Sequence, residues 1–575
     1  MSTLTMNGRS LDPISLNDLP TELLINIISN IDVHQSNRIL GHIPDDPPPS
    51  LPDPYLIRDF LTGCRPFCSL SLTSRRFRDL AQKHLFFAPV ISGFVFRFPP
   101  DRSHSRITYF LRTLLARPDL RKHVKEIRLC FPKDGETIEQ RDEKEESNMT
   151  AKALPFVTAI VLPCRKLIAT LDLPADMKKS WSAQMIMEYR YTMMGIVLVL
   201  LPQLQKLSIS ENSEDKSHYT DNHVLNILGM HPQSHANIDL GSIKCLPVIR
   251  SLRLLKLSSP TPVRLDGLDV FPNLDTLDMS LKLADMGIHQ VHHLSRLYHD
   301  PQPIATLRSI RHLRIDCQTK SVGIWDFSAR SGLMHILHGF RQLSSLELYA
   351  EPSAEKNPFK SVRAFPHYQT HIQTYPDAPS ADYDATTGEE SWDERVYAAR
   401  TEWTDYQYLV DSLLHIRPQL ERLQLPGGFW TLPGAARKPL PRFERFPRLQ
   451  VLVLPQAAVI SIKLECMRHQ GTTHGDFDLI PTQVLPPNLR HLEIFDADDQ
   501  LLRSEWLQVL FKEQAACNRW PELRKLEISF GPTFNDKEYA DLVTRKSSTP
   551  FWTLVDKATF QIEFGRDSEV PMVRA

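Results

Sequence analysis

Leu19-Pro-Thr-Glu-Leu-Leu24 and Leu70-Ser-Leu-Thr-Ser-Arg-Arg-Phe-Arg-Asp-Leu80 are the two stretches around which the chain is organised. In the first, apolar residues from Leu23 to Ile31 recur with helical spacing, and Pro20 suits a first helical turn, where its missing N–H needs no partner. In the second, apolar residues recur at three and four positions. The pattern predicts a short helical hairpin with apolar side chains left outside, which is typical of a partner-binding module.

These stretches resemble the F-box, the motif that attaches a protein to the Skp adaptor of a cullin-type ubiquitin ligase. The arrangement is similar to that of fungal F-box domain-containing proteins. The resemblance implies adaptor contacts from Leu19, Pro20, Glu22, Leu23, Leu24, Ile27, Leu72, Phe77 and Leu80. Amphipathic helices of this kind also occur as ordinary packing elements.

The F-box pattern departs from the family in one respect, because a proline-rich piece at 42–54 divides it. Successive X-Pro restrictions forbid a helix there and predict a solvated loop. The segment Arg58-Asp-Phe-Leu61 is predicted to resume the helix. The interruption falls in the part of the pattern that would form the middle of the adaptor contact. The residues expected at its two ends are present.

A second pattern, Leu-x-x-Leu-x-Leu, recurs along the remaining chain and usually follows a proline. The last two apolar residues of each unit are two apart, so they point to one face of a short strand. Stacked copies would complete the ladder and bury the leucines. The units begin at Val124, Leu204, Ile249, Leu274, Ile310, Leu343, Leu420, Leu449, Leu489 and Leu523, with a weaker example at Ile168-x-x-Leu171-x-Leu173.

These units resemble the irregular leucine-rich repeats of F-box proteins, although the family's usual asparagine or cysteine is missing. Helical spacing precedes several of them, as at Thr108–Leu115 and Trp506–Phe511. The implied fold class is α/β, an N-terminal helical F-box followed by an irregular leucine-rich-repeat solenoid (horseshoe) with loop insertions. The predicted domains are a disordered N-terminus at 1–16, the F-box at 17–90, the repeat array at 91–535 with insertions 133–147 and 351–404, and a C-terminal cap or tail at 536–575.

The strand residues between the leucines are expected to face a partner rather than the core. This assigns substrate binding to Arg253, Asp278, Arg314, Glu347, Glu493 and Glu527. They mix both charge signs and form no continuous basic stripe, which favours a protein partner over nucleic acid. Two alternatives remain open: these residues are simply solvated, or the acidic, aromatic-rich insertion 351–404 folds over the array and binds the substrate instead.

Composition narrows the class of protein. The net charge of -1 shows no basic excess, so a nucleic-acid binder is not expected. The 8 cysteines are widely scattered, as is usual for reduced thiols in the cytoplasm or nucleus. The first ten residues lack the apolar segment of a signal peptide, and no apolar run is long enough to cross a bilayer. A membrane association is therefore not expected.

No sequence pattern points to catalysis or a cofactor. Two clusters resemble metal ligands, His289 with His292, His293 and His299, and Cys466 with His469, His474 and Asp476. Surface histidines explain both better, because paired cysteines or a second half-site are missing. The sequence therefore predicts a non-catalytic substrate-recognition subunit of a Skp–cullin–F-box ubiquitin ligase, without a catalytic, cofactor or metal residue. The alternatives are a repeat scaffold outside any ligase and an enzyme with an unrecognised site.

Overall fold

The computed structural model describes residues 19–24, 54–92, 106–131, 160–173, 175–186, 190–211, 246–257, 268, 270–282, 309–318, 337–350, 406–426, 443–460, 480–517, 519–531, 534, 536–544, 550–556 and 558–566. The predicted loops 133–147 and 351–404, residues 1–16, residues 42–53, Ile27 and both histidine clusters lie outside them. The chain divides into two compact units, Met1–Leu228 with Asn237–Ser258, and Gly229–Ala236 with Ser259–Ala575.

The first unit begins with helices and continues into four strands. Its helices are α1 (Pro54–Thr73), α2 (Arg75–Leu85), α3 (Arg106–Ala116), α4 (Pro118–Arg121), α5 (Leu162–Thr170), α6 (Ala175–Ile186), α7 (Arg190–Val199) and α8 (Pro247–Ser251). Its strands are β1 (Val90–Ser92), β2 (Glu126–Phe131), β3 (Lys206–Glu211) and β4 (Leu254–Leu257). Each strand pairs in parallel with the next. The predicted helix at 58–61 is confirmed as part of α1.

The second unit contributes eight strands and the remaining helices. The strands are β5 (Thr276–Lys282), β6 (His312–Gln318), β7 (Ser345–Ala350), β8 (Arg422–Gln424), β9 (Val451–Pro455), β10 (His491–Ala497), β11 (Lys525–Phe530) and β12 (Gln561–Arg566). Neighbours again pair in parallel. The helices are α9 (Tyr406–Ser412), α10 (Pro481–Val484), α11 (Asp499–Arg503), α12 (Glu505–Cys517), α13 (Asp536–Val543) and α14 (Pro550–Val555), with 3₁₀ turns at Phe443–Arg445 and Gln456–Ala458.

The core lies on the leucine face of the strands. The leucines predicted to be buried are at most 2% exposed: Leu252, Leu277, Leu313, Leu346, Leu452, Leu492 and Leu526. Aromatic side chains three residues before the first leucine of a unit fill the turns and are buried as well: Phe271, Phe340, Phe446 and Trp520. Alternation along strands such as β4 and β10 therefore separates a buried leucine face from a more exposed face, whereas β9 is buried at four successive residues.

The predicted horseshoe solenoid is wrong. The twelve described strands belong instead to one parallel sheet in chain order, accompanied by helices, which is an α/β fold. A solenoid requires repeats that stack with nearly constant geometry. The repeats of this chain are unequal in length and share little beyond the strand. Within each compact unit the strands pair directly with their neighbours, β1 to β4 in the first and β5 to β12 in the second.

Three local predictions are also corrected. The weak unit at 168–173 is not a strand, because Ile168 lies in α5. Helix α1 ends at Thr73, and Ser74 caps α2 by accepting a hydrogen bond from the backbone N–H of Phe77 at 3.2 Å. The stretch Leu70–Leu80 therefore belongs to two helices. The unit at Ile249 is displaced by three residues, because Leu255 rather than Leu252 pairs with Leu207.

No helix among the described residues is both long and apolar enough to cross a membrane.

Candidate functional site

The N-terminal helices enclose a small core of their own. Leu24, Phe67, Phe77 and Ala81 are buried together, and the partly buried Leu19, Leu70 and Leu80 pack against them. Arg76 donates a hydrogen bond from Nη2 to Oγ1 of Thr21 at 2.8 Å. These contacts attach residues 19–24 to α1 and α2, although 55 positions separate Thr21 from Arg76. The two stretches that resemble an F-box are thus brought together in one helical core.

The predicted adaptor residues divide by exposure. Leu24 and Phe77 belong to the core, and Leu19 and Leu80 are intermediate, while Pro20, Glu22, Leu23 and Leu72 are exposed. Leu23 is 48% exposed and Leu72 is 81% exposed, although both are large aliphatic side chains. Among the predicted contacts, exposed apolar side chains are the ones available to a partner, while the buried ones hold the helices together.

A second surface lies on the polar face of β5–β12. The strand registers place one residue of each strand side by side, in the order Asp278, Arg314, Glu347, Gln424, Val453, Glu493, Glu527 and Glu563. We call this row the charged row. The residue two positions earlier on each strand forms a parallel row that includes His312, Arg422, His491 and Lys525.

Opposite charges are paired in the first part of the charged row. The Arg422 Nε atom lies 2.7 Å from Oε1 of Glu347. The Arg314 Nε atom is 3.9 Å from Oδ1 of Asp278, and its guanidinium lies 4.2 Å from the ring centroid of Tyr349. The Tyr349 hydroxyl in turn donates to Oε2 of Glu347 at 3.2 Å. These side chains hold one another in a fixed arrangement with alternating charge.

The last part of the charged row is acidic. Glu493, Glu527 and Glu563 stand on adjacent strands. The Lys525 Nζ atom lies 2.6 Å from Oε2 of Glu527 and 2.8 Å from Oε2 of Glu563. Within the described residues, Glu493 has no ion pair of comparable length. The Lys525 ammonium is therefore in contact with two of the three carboxylates.

The pKa values of two of these glutamates move in opposite directions. Burial and the neighbouring Glu527 carboxylate raise the pKa of Glu493. The contacts of Glu527 with His491 and Lys525 outweigh burial and lower the pKa of Glu527 to about 2. The Nε2–Oε2 distance from His491 to Glu527 is 3.6 Å, which is longer than a hydrogen bond. Negative charge is therefore favoured at Glu527 and disfavoured at Glu493.

Replacing Glu493 by glutamine is expected to stabilise the protein at pH 7. A carboxyl whose pKa is raised on folding opposes folding when ionised, and this cost disappears as the pH falls below its folded pKa. The free energy of unfolding of Glu493→Gln should therefore exceed that of the wild type at pH 7, and the difference should shrink toward pH 4. Denaturant titrations in EDTA, which removes stray divalent ions, measure it. The measured quantity is the free energy of unfolding of Glu493→Gln minus that of the wild type. A smaller difference at pH 7 than at pH 4 would contradict the raised pKa of Glu493.

One predicted substrate residue is misplaced. Arg253 precedes β4 and is exposed outside the strand. Lys256 takes the outward position instead, paired with Ser208. The other predicted residues, Asp278, Arg314, Glu347, Glu493 and Glu527, lie in the charged row, as the alternation of strand residues indicated.

Sequence reasoning missed the basic partners of the charged row and its last member. Arg422, His491 and Lys525 each stand two residues before an outward position, so strand periodicity places them on the same face. Glu563 follows Ile562 in β12, where Ile562 and Phe564 take the positions held by Leu526 and Ile528 in β11. The alternation Phe560-Gln-Ile-Glu-Phe564 was the available signal.

No protein-family model matches the chain, and no curated protein matches it either.

Proposed function

We propose that this chain is a non-catalytic substrate-recognition subunit of a Skp–cullin–F-box ubiquitin ligase. Its N-terminal helices bind a Skp-type adaptor, and its charged row binds a protein substrate. Catalysis is supplied elsewhere in the complex, and the chain contributes proximity and orientation. The complex acts in the cytoplasm or nucleus, in keeping with the scattered cysteines.

The observation that carries the adaptor assignment is the exposure of Leu72. Leu72 lies near the end of α1 and is 81% exposed. Phe77, in the first turn of α2, is only 5% exposed and belongs to the core of the N-terminal helices. Large aliphatic side chains held outward on a helix whose other face is already packed are typical anchors of a helical interface. Leu23, on the other F-box stretch, supplies a second exposed leucine.

The charged row supports a protein substrate. Its residues Asp278, Arg314 and Glu347 alternate in charge, and Arg422 of the parallel row pairs with Glu347. A surface with both signs in fixed positions discriminates between partners through their charge pattern. A phosphate backbone would instead be matched by a basic stripe, which these residues do not form.

Replacing Leu23 and Leu72 together by alanine is expected to abolish co-purification of a Skp-type adaptor. Apolar anchors at the centre of an interface contribute on the order of 2 kcal/mol or more each, so losing both should weaken binding by more than about 100-fold. Because both side chains are exposed, the thermal unfolding of the chain should change little.

Leu162→Ala is the matched control, because Leu162 is also an exposed leucine, 46% accessible, but lies on α5 outside the F-box stretches. It should retain the adaptor. Equal adaptor recovery by the double variant, the control and the wild type would overturn the assignment. Recovery of the adaptor without a cullin would favour a scaffold outside the ligase.

A further inference from the structure

Three potential metal ligands converge at the acidic end of the charged row. The side chains of His491, Glu493 and Glu527 each offer one ligand atom, and these atoms all lie within 4.8 Å of one another. His491 and Glu493 are two apart on β10 and therefore share a face. Glu527 is the register partner of Glu493 on β11. The three side chains thus project from two directly paired strands, whose backbones fix their spacing.

The imidazole of His491 has a nitrogen that lacks a hydrogen bond. Its Nε2 atom is buried and has no hydrogen-bond partner within the described residues. It lies 3.6 Å from Oε2 of Glu527. Two ligand atoms bound about 2.0–2.2 Å from one tetrahedral zinc ion are about 3.4 Å apart. The pair is therefore too far apart for hydrogen bonding and close to the separation of two ligands on one ion.

The electrostatic balance of the cluster favours a divalent cation. Glu493, Glu527 and Glu563 carry three negative charges, against the Lys525 ammonium, which contacts two of them, and the Arg422 guanidinium, which acts on Glu493. The cluster is therefore net negative when His491 is neutral. A carboxylate offers about four lone-pair positions, so Glu527 can bind an ion while still accepting from Lys525. The ammonium would then orient Glu527 from outside the coordination shell, as outer hydrogen bonds commonly do for metal ligands.

We propose that His491, Glu493 and Glu527 form a site for one divalent transition-metal ion, with zinc as the representative. An imidazole with two carboxylates suits this class, whereas magnesium and calcium prefer oxygen alone. The three ligand atoms already lie within 4.8 Å of one another, and binding one ion would bring them closer together. Three protein ligands leave a fourth coordination position for water or for a group from a bound partner.

Zinc binding to the full chain, after EDTA treatment and removal of the chelator, tests the site. Ions bound per chain are counted by competition with a chromogenic zinc chelator. His491→Ala and the nearly isosteric Glu493→Gln should each bind one zinc ion fewer than wild type, or bind that ion at least about 10-fold more weakly, since even outer-shell changes weaken metal affinity by that factor. Zinc should raise the melting temperature of the wild type more than magnesium does.

His312→Ala is the matched control. His312 occupies on β6 the strand position that His491 occupies on β10, but the next outward residue on its own strand is Arg314 rather than a glutamate. The register partner of Arg314 on the following strand, Glu347, is paired with Arg422. It should bind as many zinc ions as the wild type. Thermal melting in EDTA establishes that each variant is folded. If His491→Ala does not fold, Glu493→Gln still tests the site. Equal zinc stoichiometry and affinity in wild type and Glu493→Gln would overturn the proposal.

Discussion

Replacing Phe77 by alanine is expected to destabilise the N-terminal helices by about 3–5 kcal/mol, the usual cost of deleting a buried phenylalanine. Phe77 packs with Leu24, Phe67 and Ala81, and several partly buried leucines pack against this core. Removing the phenyl ring leaves a cavity among these side chains. Loss of amide-exchange protection in α1 and α2 of the full chain is the appropriate measurement, because it reports on these helices alone.

The comparison with Leu72→Ala separates a structural residue from an interface residue. Leu72 is exposed, so its truncation should leave exchange protection in α1 and α2 unchanged while weakening adaptor binding. Phe77→Ala should weaken both. Unaltered protection in Phe77→Ala would show that this side chain does not hold the helices together.

Leu492→Ala should lower the free energy of unfolding of the second unit by about 2–5 kcal/mol. Leu492 is fully buried, and β10 is paired on both sides, with Leu452 and Leu526 as its register partners. The strand therefore cannot move far to fill the cavity. Exchange protection in β9, β10 and β11 measures the loss.

Ile480→Ala is the control for this second substitution, because Ile480 is an aliphatic residue of the same unit that is 43% exposed. Substitutions at exposed positions of this kind usually change the free energy of unfolding by less than about 0.5 kcal/mol. Similar effects of Leu492→Ala and Ile480→Ala would contradict the assignment of the leucine face as the core.

Local patterns predicted the strands well because each unit carries its own signal. Leu277 and Met279, or Leu526 and Ile528, are two apart and must share a face of any strand. Burial of that face follows from the hydrophobic effect and needs no knowledge of the neighbours. The outward positions, including Glu493 and Glu527, follow from the same alternation.

The register of β4 could not be predicted from its own residues. Ile249-Arg-Ser-Leu-Arg-Leu-Leu-Lys-Leu257 contains two overlapping copies of the unit, one ending at Leu254 and one at Leu257. Pairing with β3 selects the second copy, since Leu207 stands opposite Leu255 and Ile209 opposite Leu257. A shift of three residues changes which side chains face outward, and Lys256 replaces Arg253 as the outward residue.

The long-range arrangement was beyond local reasoning. The horseshoe followed from analogy between units, whereas the strands join one parallel sheet whose ladder is set by backbone pairing between distant segments. The cluster of His491, Glu493 and Glu527 depends on the same pairing. Glu527 approaches His491 only because β11 lies beside β10 in one particular register. Residue spacing instead indicated two other groups of potential metal ligands, the histidines near 289 and the cluster around Cys466.

The measurement that bears most directly on the proposed function is the affinity of the full chain for a purified fungal Skp-type adaptor, determined by isothermal titration calorimetry. The account predicts a one-to-one complex that recruits a cullin when one is added, and a loss of binding in the Leu23→Ala, Leu72→Ala double variant but not in Leu162→Ala. The absence of detectable heat with the folded wild-type chain and an active adaptor would contradict it.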